Sequence, residues 1–141
     1  MPTTAVDPPK RLHVAVGVIV DDHGQLLIAK RAAHLHQGGL WEFPGGKVDE
    51  GETIQQALRR ELDEELGIQV TAFSPLVEIH HDYPDRHVLL DVWRVDGFDG
   101  VPHGREGQPL RWVAPADLIA SEFPEANRPI IDTIRATFGS S

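Results

Sequence analysis

An α/β fold is what this sequence predicts. Apolar, β-branched runs of strand length recur along the chain, an acidic helical stretch free of Pro and Gly separates them near the middle, and an apolar-striped helical stretch closes the chain. At 141 residues the chain is long enough for one domain with a real core and too short for two.

Taken in order, residues 1 to 10, with three prolines, read as a disordered lead-in, and residues 11 to 141 as a single domain. Leu12 to Val20, LHVAVGVIV, reads as a buried strand. Asp21-Asp22-His23-Gly24 turns it into a second strand, Gln25 to Lys30, and the two should form a hairpin. Lys30 and Arg31 end that strand, either as ordinary surface charge or as a phosphate clamp, for which Arg offers a planar fork of donors. His34 and His36 lie in the following loop, exposed or over a ligand. Leu40 to Phe43 is a short strand running into the turn Pro44-Gly45-Gly46, whose glycines let backbone groups approach a metal or phosphate.

The helix runs from Ile54 to Leu66, with Glu52 and Thr53 supplying first-turn charge and a capping hydroxyl, and Gly67 stopping it. Gln69 to His80 and His87 to Val95 are strands joined across His81 to Arg86, the second buried on both faces for part of its length. Asp96 to Gln108 is a long polar loop, and Leu110 to Val113 a last short strand. Pro115 to Ile119 suggests a short helix. A final helix begins near Pro124 to Pro129 and runs through Ile130, Ile131, Ile134 and Phe138, apolar at helical spacing.

On a wheel, Ile54, Leu58, Leu62 and Leu66 make the buried stripe of the acidic helix. Glu61 and Glu65 point into its edge with Glu64 beside them, while Arg59, Arg60 and Asp63 face elsewhere. Three carboxylates at a half-buried edge repel one another and would drive one to protonate unless a cation joins them. Oxygen-only ligands suit magnesium or manganese better than zinc, and such an ion completes its shell with substrate phosphates. A solvated acidic face is the alternative that the residues ELDEEL alone leave open.

The longer spacing narrows that choice. Gly46, five residues, Glu52, seven residues, Arg60-Glu61-Leu62, one residue, Glu64-Glu65, one residue, Gly67-Ile68 matches every fixed position of the Nudix box. The chain therefore resembles a Nudix hydrolase. Outside the box, AVGVIV, KRAA, WEFPGGK, YPDRH, GREGQPLRW and FPEANRP are similar to the MutT branch, which hydrolyses oxidised guanine nucleotides. The similarity covers residues 11 to 138.

That resemblance implies an α/β/α sandwich around a mixed sheet, and a magnesium-dependent enzyme, manganese substituting, that converts 8-oxo-dGTP to 8-oxo-dGMP and pyrophosphate. It implies Glu61 as base and shared metal ligand, Glu64 and Glu65 as ligands beside it, and the Gly45 carbonyl and Glu106 completing the metal sites. Glu52 and Arg60 would brace the loop. For the substrate it implies Asn127 reading the purine edge, with Glu42, Pro44 and backbone groups at Phe43 nearby. Leu12, Val14, Tyr83 and Val88 would line the base pocket, Arg86 would close it, and Arg31 and His36 would hold phosphate or neighbouring atoms. Without the resemblance, Asn127 reads as a helix cap. Tyr83 stands where a phenylalanine is expected and His103 replaces an aromatic, so CTP or another nucleotide stays open as substrate.

Composition excludes several classes. A formal charge of −9 argues against a general nucleic-acid binder, although a nucleotide remains compatible because divalent ions reverse the local sign. With no cysteine there is neither a disulfide framework nor a thiolate nucleophile. MPTTAVDPPKR lacks the apolar core of a secretory signal, and no stretch approaches the roughly 20 apolar residues of a membrane helix, so a cytoplasmic protein without a membrane partner is expected. A monomer is the expected state. Rivals from other classes are a non-catalytic nucleotide-binding module and a calcium-stabilised structural domain.

Overall fold

In the computed structural model, residues 10–34 and 38–138 are described; of the expected lead-in over residues 1 to 10 only Lys10 falls within them, where it is strand and not lead-in, while residues 1–9, His36 and the Gly139-Ser140-Ser141 ending lie outside. Strand β1 (Lys10–Ile19) pairs in parallel with β6 (Arg86–Asp99) from Lys10 opposite Arg86 to Ile19 opposite Val95. Its other edge pairs antiparallel with β4 (Gly45–Lys47), and β5 (Gln69–Tyr83) completes a mixed sheet of order β4-β1-β6-β5. A second, antiparallel sheet has the order β3-β2-β7, from Trp41–Glu42, Leu26–Lys30 and Leu110–Val113.

From Ala15 to Ile19 strand β1 is buried on both faces, which is why its sequence there is a run and not an alternation. Ala15 and Ile19 face helix α1 (Ile54–Leu66), packing with Ala57, Leu58, Leu62 and Leu66. Val16 and Val18 face helix α2 (Arg128–Phe138), packing with Ile130, Ile131 and Ile134. The α/β/α layering expected from the resemblance is therefore present. Among the described residues no helix is long and apolar enough to cross a membrane.

Four expectations are corrected. The β1–β2 hairpin is absent: both edges of β1 are taken by β4 and β6, so β2 meets it only at the Val20–Leu26 bridge and joins the other sheet. Asp21 makes that divergence by accepting the backbone N–H groups of His23 and Gln25 at 2.9 and 2.8 Å. The Gly45-Gly46 turn is strand, lying so close to β1 that a Cβ at Gly45 would collide with the Ala15 carbonyl oxygen. The hairpin connection after His80 shrinks to Pro84-Asp85, and β6 runs on to Asp99 because Gln69 to Ala72 continue to pair with it. Pro75 is tolerated in β5 because that strand is an edge. Finally, Glu52 precedes α1 and no acidic side chain stands in its first turn; Thr53 and Gln56 instead form a capping box. Gly67 ends the helix in the left-handed region as expected, at φ 70°.

Leu62 is fully buried between α1 and β1. Leu62→Ala should cost about 2–5 kcal/mol in urea unfolding.

Candidate active site

The box assembles around Arg60. Its Nε and Nη2 donate to the two carboxylate oxygens of Glu52 at 2.7 and 2.9 Å, and Nη2 also donates to the Lys47 carbonyl at 3.0 Å. Nη1 donates to Glu61 at 2.8 Å and, more loosely, to Glu64 at 3.3 Å. Arg60 thus does not face away from the carboxylates, as the helical wheel suggested. It braces the loop against the helix, in agreement with the resemblance. The wheel missed this because a long guanidinium stem reaches sideways from its own helical position.

Glu61 is mostly buried, its side chain 15% exposed, and lies where a Cβ at Gly46 would stand, so only glycine leaves room for the carboxylate. Glu64 is 60% exposed. Glu65 turns inward and accepts the Gly45 N–H at 3.3 Å. Burial first, then the charge of Glu61, with Glu42 and Glu106 adding, pushes the Glu65 carboxyl up to about 8 against the pull of that N–H. Glu52 shifts the opposite way, to about 2, under the Arg60 guanidinium and the Asp49 N–H.

Glu106 reaches this region on a loop docked against the end of α1. Arg105 N–H and Gln108 Nε2 both donate to the Glu65 carbonyl at 3.1 Å, His103 N–H donates to Leu66 at 3.1 Å, and the Arg105 side chain donates to Asp63 at 3.0 Å. These contacts satisfy carbonyls that a helix end leaves orphaned. Gln108 also accepts the Glu106 N–H at 2.9 Å. Arg105 and Gln108 were not singled out from the sequence, although both flank Glu106 in GREGQ.

One cleft of about 830 Å³ unites most of the expected residues. Leu12, Val14 and Val16 of β1 and Val88 and Leu90 of β6 give it an apolar wall. Phe43 lines it while stacking on Phe123, ring centroids 5.3 Å apart. Tyr83, Arg86 and Asn127 also line it, as do Gly45, Glu65 and Glu106. Arg31 and Glu42 enter as an ion pair at 2.8 Å. The Asn127 side chain makes no hydrogen bond with the described residues, so it does not act as a cap. Glu61 and Glu64 lie outside the lining, and Pro44 is buried, its carbonyl accepting the Gly17 N–H at 2.8 Å.

Among the described residues, no three His, Asp or Glu side chains converge into a formed metal cage. Arg60 holds Glu61 and Glu64, and Gly45 holds Glu65. The donor set nonetheless fits a hard divalent cation: it is all oxygen, and among the described residues no cationic side chain pairs with the largely buried Glu65.

The NUDIX domain family model matches residues 15–133. The chain belongs to the Nudix family. It is 43% identical over 126 residues to the 8-oxo-dGTP diphosphatase of Escherichia coli K12, covering 89% of this chain and 98% of that one. It is 36% identical over 121 residues to the CTP pyrophosphohydrolase of the same organism, covering 86% and 90%. A structure from work on MutT of Aliivibrio salmonicida and Vibrio cholerae superposes with a TM-score of 0.79 at 44% identity, over 92% of this chain and all of that one. The chain is accordingly a Nudix hydrolase, an enzyme class that generally needs a divalent metal.

A glutamate titrating near 4.5 when unfolded and near 8 when folded leaves the folded state with the extra proton in between, so stability falls as pH rises through that window. Glu52 contributes the opposite sign, stability that is lost as pH falls from 4.5 through about 2. In chelator-treated protein, urea unfolding should therefore show stability dropping by a few kcal/mol between about pH 5 and 8, and Glu65→Gln should flatten that slope.

Proposed function

We propose that this Nudix hydrolase is a magnesium-dependent nucleoside triphosphate pyrophosphohydrolase that prefers 8-oxo-dGTP and acts as a cytoplasmic monomer on the free nucleotide pool. The observation that carries the reading is that Asn127 and the apolar wall of β1 and β6 share one cleft with Glu65 and Glu106. A base-sized surface thus adjoins an acidic edge. The net charge of −9 favours a free nucleotide over a nucleic acid polymer.

Water adds to the β-phosphorus as the bridging bond to the α-phosphate oxygen breaks, giving 8-oxo-dGMP and pyrophosphate. Glu61, fixed by Arg60, takes the proton of the attacking water. Glu61, Glu64, Glu65, Glu106 and the Gly45 carbonyl would hold the magnesium, which when bound neutralises phosphoryl oxygens and acidifies a water. Arg31 positions phosphate oxygens while Glu42 steadies it. His36 is assigned the same neighbourhood, though it lies outside the described residues. Asn127 offers a donor and an acceptor to the purine edge, Phe43 adds backbone groups, and Tyr83 and Arg86 close the base side.

The CTP-directed relative makes the substrate choice a measurable one. In a panel of 8-oxo-dGTP, dGTP and CTP, the oxidised guanine nucleotide should show the highest kcat/KM and release pyrophosphate. Release of orthophosphate, or a preference for CTP, would overturn the reading. Glu61→Gln should lower kcat by about 10²–10⁴. Asn127→Ala should lower kcat/KM for 8-oxo-dGTP by about tenfold or more and change CTP turnover far less, as loss of a base-reading hydrogen bond requires.

A further inference from the structure

Away from the cleft, the β5–β6 hairpin gathers three side chains that hydrolysis does not use. Asp82 stands opposite His87 in the sheet, and its carboxylate is hydrogen-bonded to His87 Nδ1. With Nδ1 engaged as a donor, Nε2 of His87 is left with a free lone pair. Nδ1 of His80 lies 3.2 Å from that nitrogen. His80 reaches it diagonally, since its own partner across the sheet is Leu89, two residues further along β6.

This separation matches the bite of one transition-metal ion. With metal–nitrogen bonds of about 2.0–2.1 Å, adjacent ligand nitrogens stand about 2.9 Å apart at a right angle and about 3.4 Å apart at a tetrahedral one. A carboxylate on the far nitrogen is also the partner a ligating histidine ordinarily has, fixing its tautomer and raising its basicity. We propose that His80 Nδ1 and His87 Nε2 chelate one divalent transition ion of the zinc or nickel class, with Asp82 orienting His87 and water filling the remaining positions. Among the described residues no third side chain completes a cage, so the site is open and two-pronged.

His80 Nδ1 and His87 Nε2 lie within hydrogen-bond distance of each other; for both to ligate, the His80 ring must carry its hydrogen on Nε2, and moving that hydrogen from one ring nitrogen to the other through solvent releases no net proton. Imidazole suits zinc and nickel whereas the all-oxygen cleft suits magnesium, so saturating magnesium in the cleft lets zinc report on the histidine pair. Arg11 and Arg86 share a surface cavity of about 390 Å³ with Asp82 and His87, but Arg86 is drawn to Asp85 at 3.2 Å and solvent screens the rest. A bound ion ties β5 to β6 beside the turn that carries Tyr83 and Arg86.

The test is calorimetric titration of the full chain with zinc chloride at saturating magnesium and neutral pH. Wild type should take up one zinc that His80→Gln and His87→Gln lose or bind at least about tenfold more weakly, and Asp82→Asn should weaken it by about 10–100-fold. The melting temperature of His80→Gln without zinc should match wild type, separating lost ligation from lost folding. If a variant does not fold, imidazole nitrogen resonances of wild type decide: zinc should shift those of His80 and His87 and leave those of His13 and His23. Equal zinc uptake by all four proteins, or shifts confined to other histidines, overturns the proposal.

Discussion

The guanidinium of Arg60 is the contact on which the rest of the site depends. It draws Glu52 from the loop, Glu61 and Glu64 from the helix and the Lys47 carbonyl from β4 onto one planar group. Without a cation there, the half-buried carboxylates would repel one another, and the glycine loop would have no reason to lie against the helix. Glu52 takes two of its donors, so Glu61 and Glu64 share the one that remains on their side. Glu65, which it does not reach, remains an acid with a strong preference for its proton. The box is therefore held in shape by one cation while retaining a demand for another.

Much of the architecture was legible in the residues. The box helix was readable because its stripe, Leu58, Leu62 and Leu66, its capping Thr53 and its stop at Gly67 all agree with one another. Strand β1 was readable as buried because its run never alternates. What failed were pairings. LHVAVGVIV and LLIAK are joined by a good turn, yet nothing local says that β1's edges are claimed by β4 and β6. Likewise, Gly45-Gly46 has the composition of a turn and becomes strand only because β1 lies close enough to exclude any side chain.

The site divides in the same way. Acidic side chains spaced along one helix can be inferred from periodicity, and the residues expected to approach from elsewhere came from resemblance. Asn127 could be weighed as a cap until the fold brought it into a cleft more than sixty positions away in sequence from the box helix's acidic end. Arg105 and Gln108 had no local signal, since their partners are helix-end carbonyls that every sequence possesses.

Strand β1 has two faces that serve different masters. The residues it turns toward α1 support the acidic machinery, whereas Leu12, Val14 and Val16 turn toward the ligand-sized cleft. Alternate positions along a single strand can then drift separately: a lineage can reshape what it recognises by exchanging every second residue and leave its bond-breaking apparatus untouched. Relatives named for an oxidised purine and for a pyrimidine nucleotide, 43% and 36% identical to this chain, are what such a division of labour would allow.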